Sequence, residues 1–370
     1  MHIGELMALD SATARLLKQL AEGDGKPLHE CTPDEARAFF AKIAELAGPA
    51  PAMQRVEERT IEGPDGQARL RILVPIQNPR GVLVYYHGGG WVLGSIDEYD
   101  TVARKLAERT SCAVVLVEYR LAPEHRYPAA VDDSYSALKW VGNHLSDIAG
   151  QEVPLIVAGD SAGGNLAAVM AIRARDHSGP PIALQVLIYP VTDADFDRPS
   201  YSDPENALLL TREGMIWFWN HYLLESSRRT EPEASPMYAE NLSGLPPAIV
   251  LTAEHDVLRD EGEAYAALLQ EANVQTALKR YAGQMHGFFT LLILPFLSLS
   301  FLQLFLSVYP FLFFFLLSQP SHFPPLLPPP LPFPLLPSLF HPTFLPHSPP
   351  SPLPLFLPHP PPLPFPRLPS

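Results

Sequence analysis

Ser161 stands at the centre of Gly159-Asp160-Ser161-Ala162-Gly163, a Gly-x-Ser-x-Gly arrangement. A serine hydroxyl is a weak nucleophile. It attacks a carbonyl only when a base takes its proton and donors hold the oxyanion that forms. The chain offers residues for each task. His286 is framed by glycines in Gly283-Gln284-Met285-His286-Gly287-Phe288, which suits an imidazole base carried on a short loop. The acid that orients it is expected after the preceding strand, where Glu254, Asp256, Asp260 and Glu261 cluster. Asp256 is preferred because it falls just past the strand end, with Glu254 as runner-up. Asp260 and Glu261 fall in the first turn of a helix, where the helix dipole accounts for them. Upstream lies His87-Gly88-Gly89-Gly90-Trp91. Backbone N–H groups approach a substrate oxygen closely only where side chains are absent. Gly89 and Gly90, with the N–H of Ala162, therefore read as a three-donor oxyanion hole. Gly88 makes the turn, and His87 braces the loop.

These residues need elements that bring them together. Pro154–Val157 is a short apolar run that reads as a buried strand, and Asn165–Met170 favours helix. A strand, a tight turn and a helix around Ser161 make a strained elbow that lifts the hydroxyl to the positive end of the helix. Gly159 and Gly163 flank it because a β-carbon there would meet the neighbouring strand or helix.

Around the elbow, Val56–Ile61 and Ala68–Val74 alternate and are joined by Gly63-Pro64-Asp65-Gly66, so they predict a hairpin. Val82–Tyr86, Ala113–Val117, Ile182–Tyr189, Ala248–Thr252 and Gln275–Tyr281 complete eight strands. Helices are expected from Ser95 with an inner stripe of Tyr99, Val102, Ala103 and Leu106, from Pro128 through Leu145, and over Leu258–Ala272. Strand–helix alternation of this kind predicts a mostly parallel sheet with helices on both faces.

Two stretches fall outside the alternation. Helices over residues 5–21 and from the Thr32–Glu35 capping box precede any strand. Residues 191–245 form an insertion containing a helix over Thr211–Leu224. Together they read as a cap, the alternative for the first two being a decoration packed on the back of the sheet. The expected organisation is residues 1–50 as cap helices, 51–290 as α/β core with the insertion, and 291–370 as a tail. A capped acyl pocket lined by residues such as Trp91, Trp217 and Phe218 is expected to favour short acyl chains.

The formal net charge is −14. An acidic surface excludes a phosphate-neutralising face and hence a nucleic-acid partner. Cys31 and Cys112 are too few for a disulfide framework, and the N-terminus lacks a basic stretch followed by an apolar core, so cytoplasmic residence is the expectation.

The chain resembles the hormone-sensitive-lipase family of α/β-hydrolase carboxylesterases, its bacterial esterases in particular, to about Phe289. The resemblance rests on His87-Gly88-Gly89-Gly90-Trp91, Tyr119–Glu124, Gly159–Gly164, Asp256–Glu261 and His286-Gly287-Phe288. It implies an α/β-hydrolase fold, hydrolysis of short-to-medium acyl esters without a cofactor, a cap built as above, and a homodimer. It also implies a final helix after Phe288. Here residues 291–370 instead contain no glycine, alanine or acidic residue, and are almost wholly Phe, Leu, Ser and Pro. Those residues share pyrimidine-rich codons, so the tail reads as translated pyrimidine-rich DNA. The alternatives are a membrane span over Leu291–Ser318 or a Pro-rich ligand. With such a tail, the competing function is a membrane-attached or Pro-rich interaction protein that uses an inactive hydrolase domain as scaffold.

Overall fold

Eight strands form one sheet in the order β1-β2-β4-β3-β5-β6-β7-β8. They are β1 (Arg55–Gly63), β2 (Gly66–Val74), β3 (Val82–Tyr86), β4 (Ala113–Glu118), β5 (Leu155–Asp160), β6 (Leu184–Ile188), β7 (Ala248–His255) and β8 (Thr276–Met285). The computed structural model describes residues 9–21, 26–44, 48–63 and 66–291. The tail expectations beyond Leu291 fall outside those residues. β2 pairs antiparallel with β1 and with β4, and the other neighbours pair parallel.

The central strands are apolar without interruption because both their faces are covered. Val82, Val84 and Tyr86 of β3 share a core with Val131 and Leu138 of α4 (Ala129–Asn143) and Leu166 and Met170 of α6 (Ala162–Asp176). Leu83 and Tyr85, pointing the opposite way, share the other core with Val102, Ala103 and Leu106 of α3 (Asp100–Thr110). The remaining helices are α1 (Ser11–Ala21), α2 (Pro33–Ala44), α5 (Leu145–Ala149), α7 (Pro199–Ser202), α8 (Arg212–Tyr222) and α9 (Arg259–Glu271).

The capping box at α2 forms reciprocally. Glu35 accepts from the Thr32 N–H at 2.9 Å, and the Thr32 hydroxyl accepts from the Glu35 N–H at 3.2 Å. Two helix expectations need correction. α3 starts at Asp100, not Ser95: Ser95 does accept from the Glu98 N–H, but Arg71 takes the Ile96 carbonyl that a continuing helix would use. The helix expected through Leu145 stops at Asn143, where the His144 Nδ1–H takes the Trp140 carbonyl at 2.7 Å before α5 begins.

α8 is fastened to the loop after β3 by aromatic rings. Trp91 lies fully buried at φ 60°, its ring parallel to Tyr222 with centroids 4.1 Å apart and edge-on to Trp219 at 5.0 Å. The Tyr222 carbonyl accepts from the Tyr127 N–H. Truncating a buried aromatic in such a setting costs about 3–5 kcal/mol. Tyr222→Ala should therefore lower the urea midpoint by an equivalent amount, while Leu224→Ala, at a side chain 70% exposed, should stay within about 0.5 kcal/mol of the parent.

Candidate active site

β5 ends at Asp160 and α6 begins at Ala162, leaving Ser161 alone in the turn at φ 56°, ψ −118°. That conformation is strained for a residue with a β-carbon. It is held by the Ser161 N–H on the Ile188 carbonyl at 2.9 Å, and by the Asn165 and Val191 N–H groups on the Ser161 carbonyl. The flanking glycines are required by space. A β-carbon on Gly159 would stand 2.2 Å from the Gly163 carbonyl oxygen, and one on Gly163 would stand 1.9 Å from the Tyr86 carbonyl oxygen.

β7 ends one residue before Asp256 and β8 one residue before His286. The structure brings both to the elbow. His286 Nδ1 lies 2.8 Å from Asp256 Oδ2, and His286 Nε2 lies 3.1 Å from Ser161 Oγ. An ionised carboxylate only accepts, so Nδ1 carries the proton and the Nε2 lone pair faces the serine hydroxyl. Asp256 is fully buried, and its other oxygen accepts the Leu258 N–H at 2.9 Å. Glu254, the runner-up acid, holds the end of β8 ahead of the imidazole instead: it accepts the Gly283 N–H at 2.7 Å.

The loop after β3 is pinned at each peptide. The Gly88 N–H donates to Asp160 Oδ1 at 3.0 Å. His87 Nδ1 lies 2.8 Å from the Gly88 carbonyl, and the Gly89 carbonyl accepts from the Val92 and Leu93 N–H groups. The C=O and N–H of a trans peptide point opposite ways, so fixing these two carbonyls aims the Gly89 and Gly90 N–H groups away from them. Neither N–H, nor that of Ala162 at the first position of α6, has a protein partner among the described residues. Gly89 (φ 104°) and Gly90 (φ 60°) adopt conformations that favour glycine. His87 is buried and stacked on Tyr119, and burial pulls its pKa down to about 4, so the ring is neutral and braces the loop.

The expected pocket residues divide. Phe218 lies over the loop, its ring 2.1 Å from where a Gly90 β-carbon would be. Trp217 donates its indole N–H to the Cys31 carbonyl at 3.1 Å. Trp91 is fully buried, its ring packed in the stack with Tyr222 and Trp219.

Three residues beside the site escaped the sequence reading. Tyr189, at φ 34° past β6, sets its ring 4.6 Å from that of His286. Asp160 is hidden inside the serine motif. Glu261 was assigned to the helix dipole, but it is fully buried. It accepts from the Thr192 and Asp193 N–H groups at 2.8 and 3.3 Å and from the Tyr201 hydroxyl at 3.0 Å. Asp260 likewise accepts the Ser200 N–H at 2.8 Å. A buried carboxyl group looks the same in sequence as an exposed one, and only the packing separates them.

Burial pushes the Glu261 carboxyl up to about 8 and that of Asp160 up to about 6, from 4.5 and 3.8. The folded state thus binds these protons more tightly than the unfolded chain. Their contribution to stability is greatest in acid and is lost as pH rises through the folded values. Glu261→Gln should flatten the fall in melting temperature between about pH 5 and 8. An unchanged slope would show that Glu261 does not carry it.

A family model described as the alpha/beta hydrolase fold matches residues 83–290. The carboxylesterase NlhH of Mycobacterium tuberculosis is 42% identical over 274 residues, 72% of this chain and 86% of that protein. The ethyl acetate hydrolase of Pseudomonas putida is 36% identical over 289 residues, 75% of this chain and 91% of its own length. The solved structure of a hyperthermophilic esterase from the archaeon Pyrobaculum calidifontis superposes with a TM-score of 0.75 at 41% identity, covering 82% of this chain and 99% of the other.

Proposed function

Because the chain belongs to the hormone-sensitive-lipase type of the α/β-hydrolase family and is a serine carboxylesterase, we propose that Ser161, His286 and Asp256 carry out the hydrolysis, with Gly89, Gly90 and Ala162 as oxyanion donors. The observation that carries the assignment is the imidazole bridging Asp256 at 2.8 Å and Ser161 at 3.1 Å. An inactive scaffold has no use for that bridge.

In this mechanism His286 Nε2 takes the Ser161 proton as Oγ attacks the ester carbonyl. The tetrahedral oxyanion is met by the three N–H groups. Collapse expels the alcohol, which receives the proton from His286, and leaves an acyl ester on Ser161. Water, deprotonated by the same imidazole, then attacks the acyl carbon and frees the acid. Asp256 holds the ring through Nδ1 and stabilises the imidazolium formed in each half.

We assign residues 1–50 and 191–245 to a cap. Support comes from Arg37 of α2, which binds the Val92 and Ala122 carbonyls and both oxygens of Glu124, and from Phe218 over Gly90. A homodimer is proposed from β8, which ends the sheet order and leaves Leu278 41% exposed. Cytoplasmic residence is supported by the unpaired thiols of Cys31 and Cys112. No helix among the described residues is long and apolar enough to cross a membrane.

Ser161→Ala should cut turnover of p-nitrophenyl butyrate by about 10³-fold or more with an unchanged circular dichroism spectrum. Activity retained by the folded variant would remove Ser161 from the mechanism. Acyl chains of about four to eight carbons should be turned over faster than sixteen, since a closed pocket gains roughly 0.8 kcal/mol per methylene only until it is full. Faster hydrolysis of long-chain emulsions would instead indicate an open lipid-facing cleft.

A further inference from the structure

Asp160 precedes the nucleophile, yet no step of the hydrolysis uses its carboxylate. It is 3% exposed and receives three donors from two other segments. The Tyr85 hydroxyl, on β3, donates to Oδ1 at 2.8 Å. The Gly88 N–H donates to the same oxygen at 3.0 Å, and the Tyr99 hydroxyl donates to Oδ2 at 3.1 Å. The approach is close enough to exclude any side chain at residue 88: a β-carbon there would stand 2.4 Å from Oδ2.

Burying a carboxylate costs several kcal/mol before its hydrogen bonds are counted, and an apolar side chain would fill the same space without that cost. What the carboxylate does that an apolar group cannot is grip a backbone N–H. That N–H belongs to the residue just before the two glycines whose amides face the substrate. Asp160 itself is one bond from Ser161. The contact therefore ties the loop that carries the oxyanion donors directly to the residue that generates the oxyanion. The Gly88 N–H also lies 3.1 Å from the Tyr99 hydroxyl, whose own proton goes to Asp160 Oδ2, so the carboxylate holds that N–H both directly and through Tyr99. Without it, the loop would keep its seat beside α6 but lose its fine position against the serine.

We propose that Asp160 is a positioning residue: it sets the distance between the glycine loop and Ser161, so that the Gly89 and Gly90 N–H groups meet the oxyanion. This rests on the esterase mechanism above and assigns a further residue to it. The electrostatic sign agrees with a geometric role, since a negative charge beside a developing oxyanion opposes it, and the two tyrosine hydroxyls spread that charge.

The test compares two ketones of equal chain length: a trifluoromethyl ketone, which forms a tetrahedral adduct with the serine and needs the oxyanion hole, and the plain methyl ketone, which binds without it. Removing one oxyanion donor typically costs about 10²–10³-fold. Asp160→Ala should lose about 10²-fold both in kcat/KM for p-nitrophenyl butyrate and in trifluoromethyl ketone affinity, with methyl ketone affinity held within about twofold. Asp160→Asn keeps a carbonyl oxygen for the Gly88 N–H and should recover to within about tenfold of the parent. Gly88→Ala breaks the contact from the other side and should give the same split; it decides the matter if Asp160→Ala fails to fold. Variants that bind the trifluoromethyl ketone as tightly as the parent, or that lose both ketones alike, overturn the proposal. A parent enzyme that does not prefer the trifluoromethyl ketone overturns the mechanism beneath it.

Discussion

There is no room for a β-carbon at Gly163. The Tyr86 and His87 carbonyl oxygens lie 1.9 and 2.6 Å from where it would be. That approach seats the first turn of α6 against the end of β3, and most of the site follows from it. The helix start and the glycine loop become neighbours, so the amides of Gly89, Gly90 and Ala162 lie on adjoining backbone. Ser161 has to turn through a positive φ to join β5 to a helix placed so close. Strain of this kind costs of order 1–3 kcal/mol, and three backbone hydrogen bonds, to Asn165, Ile188 and Val191, hold it in place.

The second organising element is the parallel sheet. β5, β7 and β8 run the same way, so their carboxyl ends present Ser161, Asp256 and His286 at one edge, although these residues are far apart in sequence. The buried carboxyl groups around this edge each hold backbone. Asp256 takes the Leu258 N–H, Asp160 the Gly88 N–H, and Glu261 those of Thr192 and Asp193. Loops that carry catalytic groups are thereby fixed to the sheet without lengthening any strand.

The strands were legible in the sequence because runs such as Val82–Tyr86 and Ala113–Val117 have no amphipathic alternative. The Ser161, Asp256 and His286 trio was legible because glycine marks turns and the acid follows a strand end directly. What stayed hidden depends on which way a side chain points. Trp91 stands beside its glycines in sequence, but the packing of its ring on Tyr222, in a helix more than 120 residues later, carries no local signal. Glu261 looked like a dipole partner because its contacts come from the insertion 60 to 69 residues earlier. Tyr189 carries no local signal, since its closeness to His286 is set by β6 and β8 flanking β7 in the sheet. The start of α3 was misplaced because Arg71, from a different strand, competes for the Ile96 carbonyl.

The contact of Phe218 with Gly90, together with the stack of Trp91 on Tyr222, makes α8 and the glycine loop one packed unit. Residues in contact do not contribute independently, and interaction energies between such neighbours run to about 0.5–3 kcal/mol. Grafting the insertion of a relative onto this core would therefore disturb the glycine loop beside Ser161. The effect of a substitution at Phe218 should likewise be contingent on Trp91 and Tyr222. The insertion and the glycine loop then evolve as one unit, and libraries that sample the two segments separately will miss combinations that only work together.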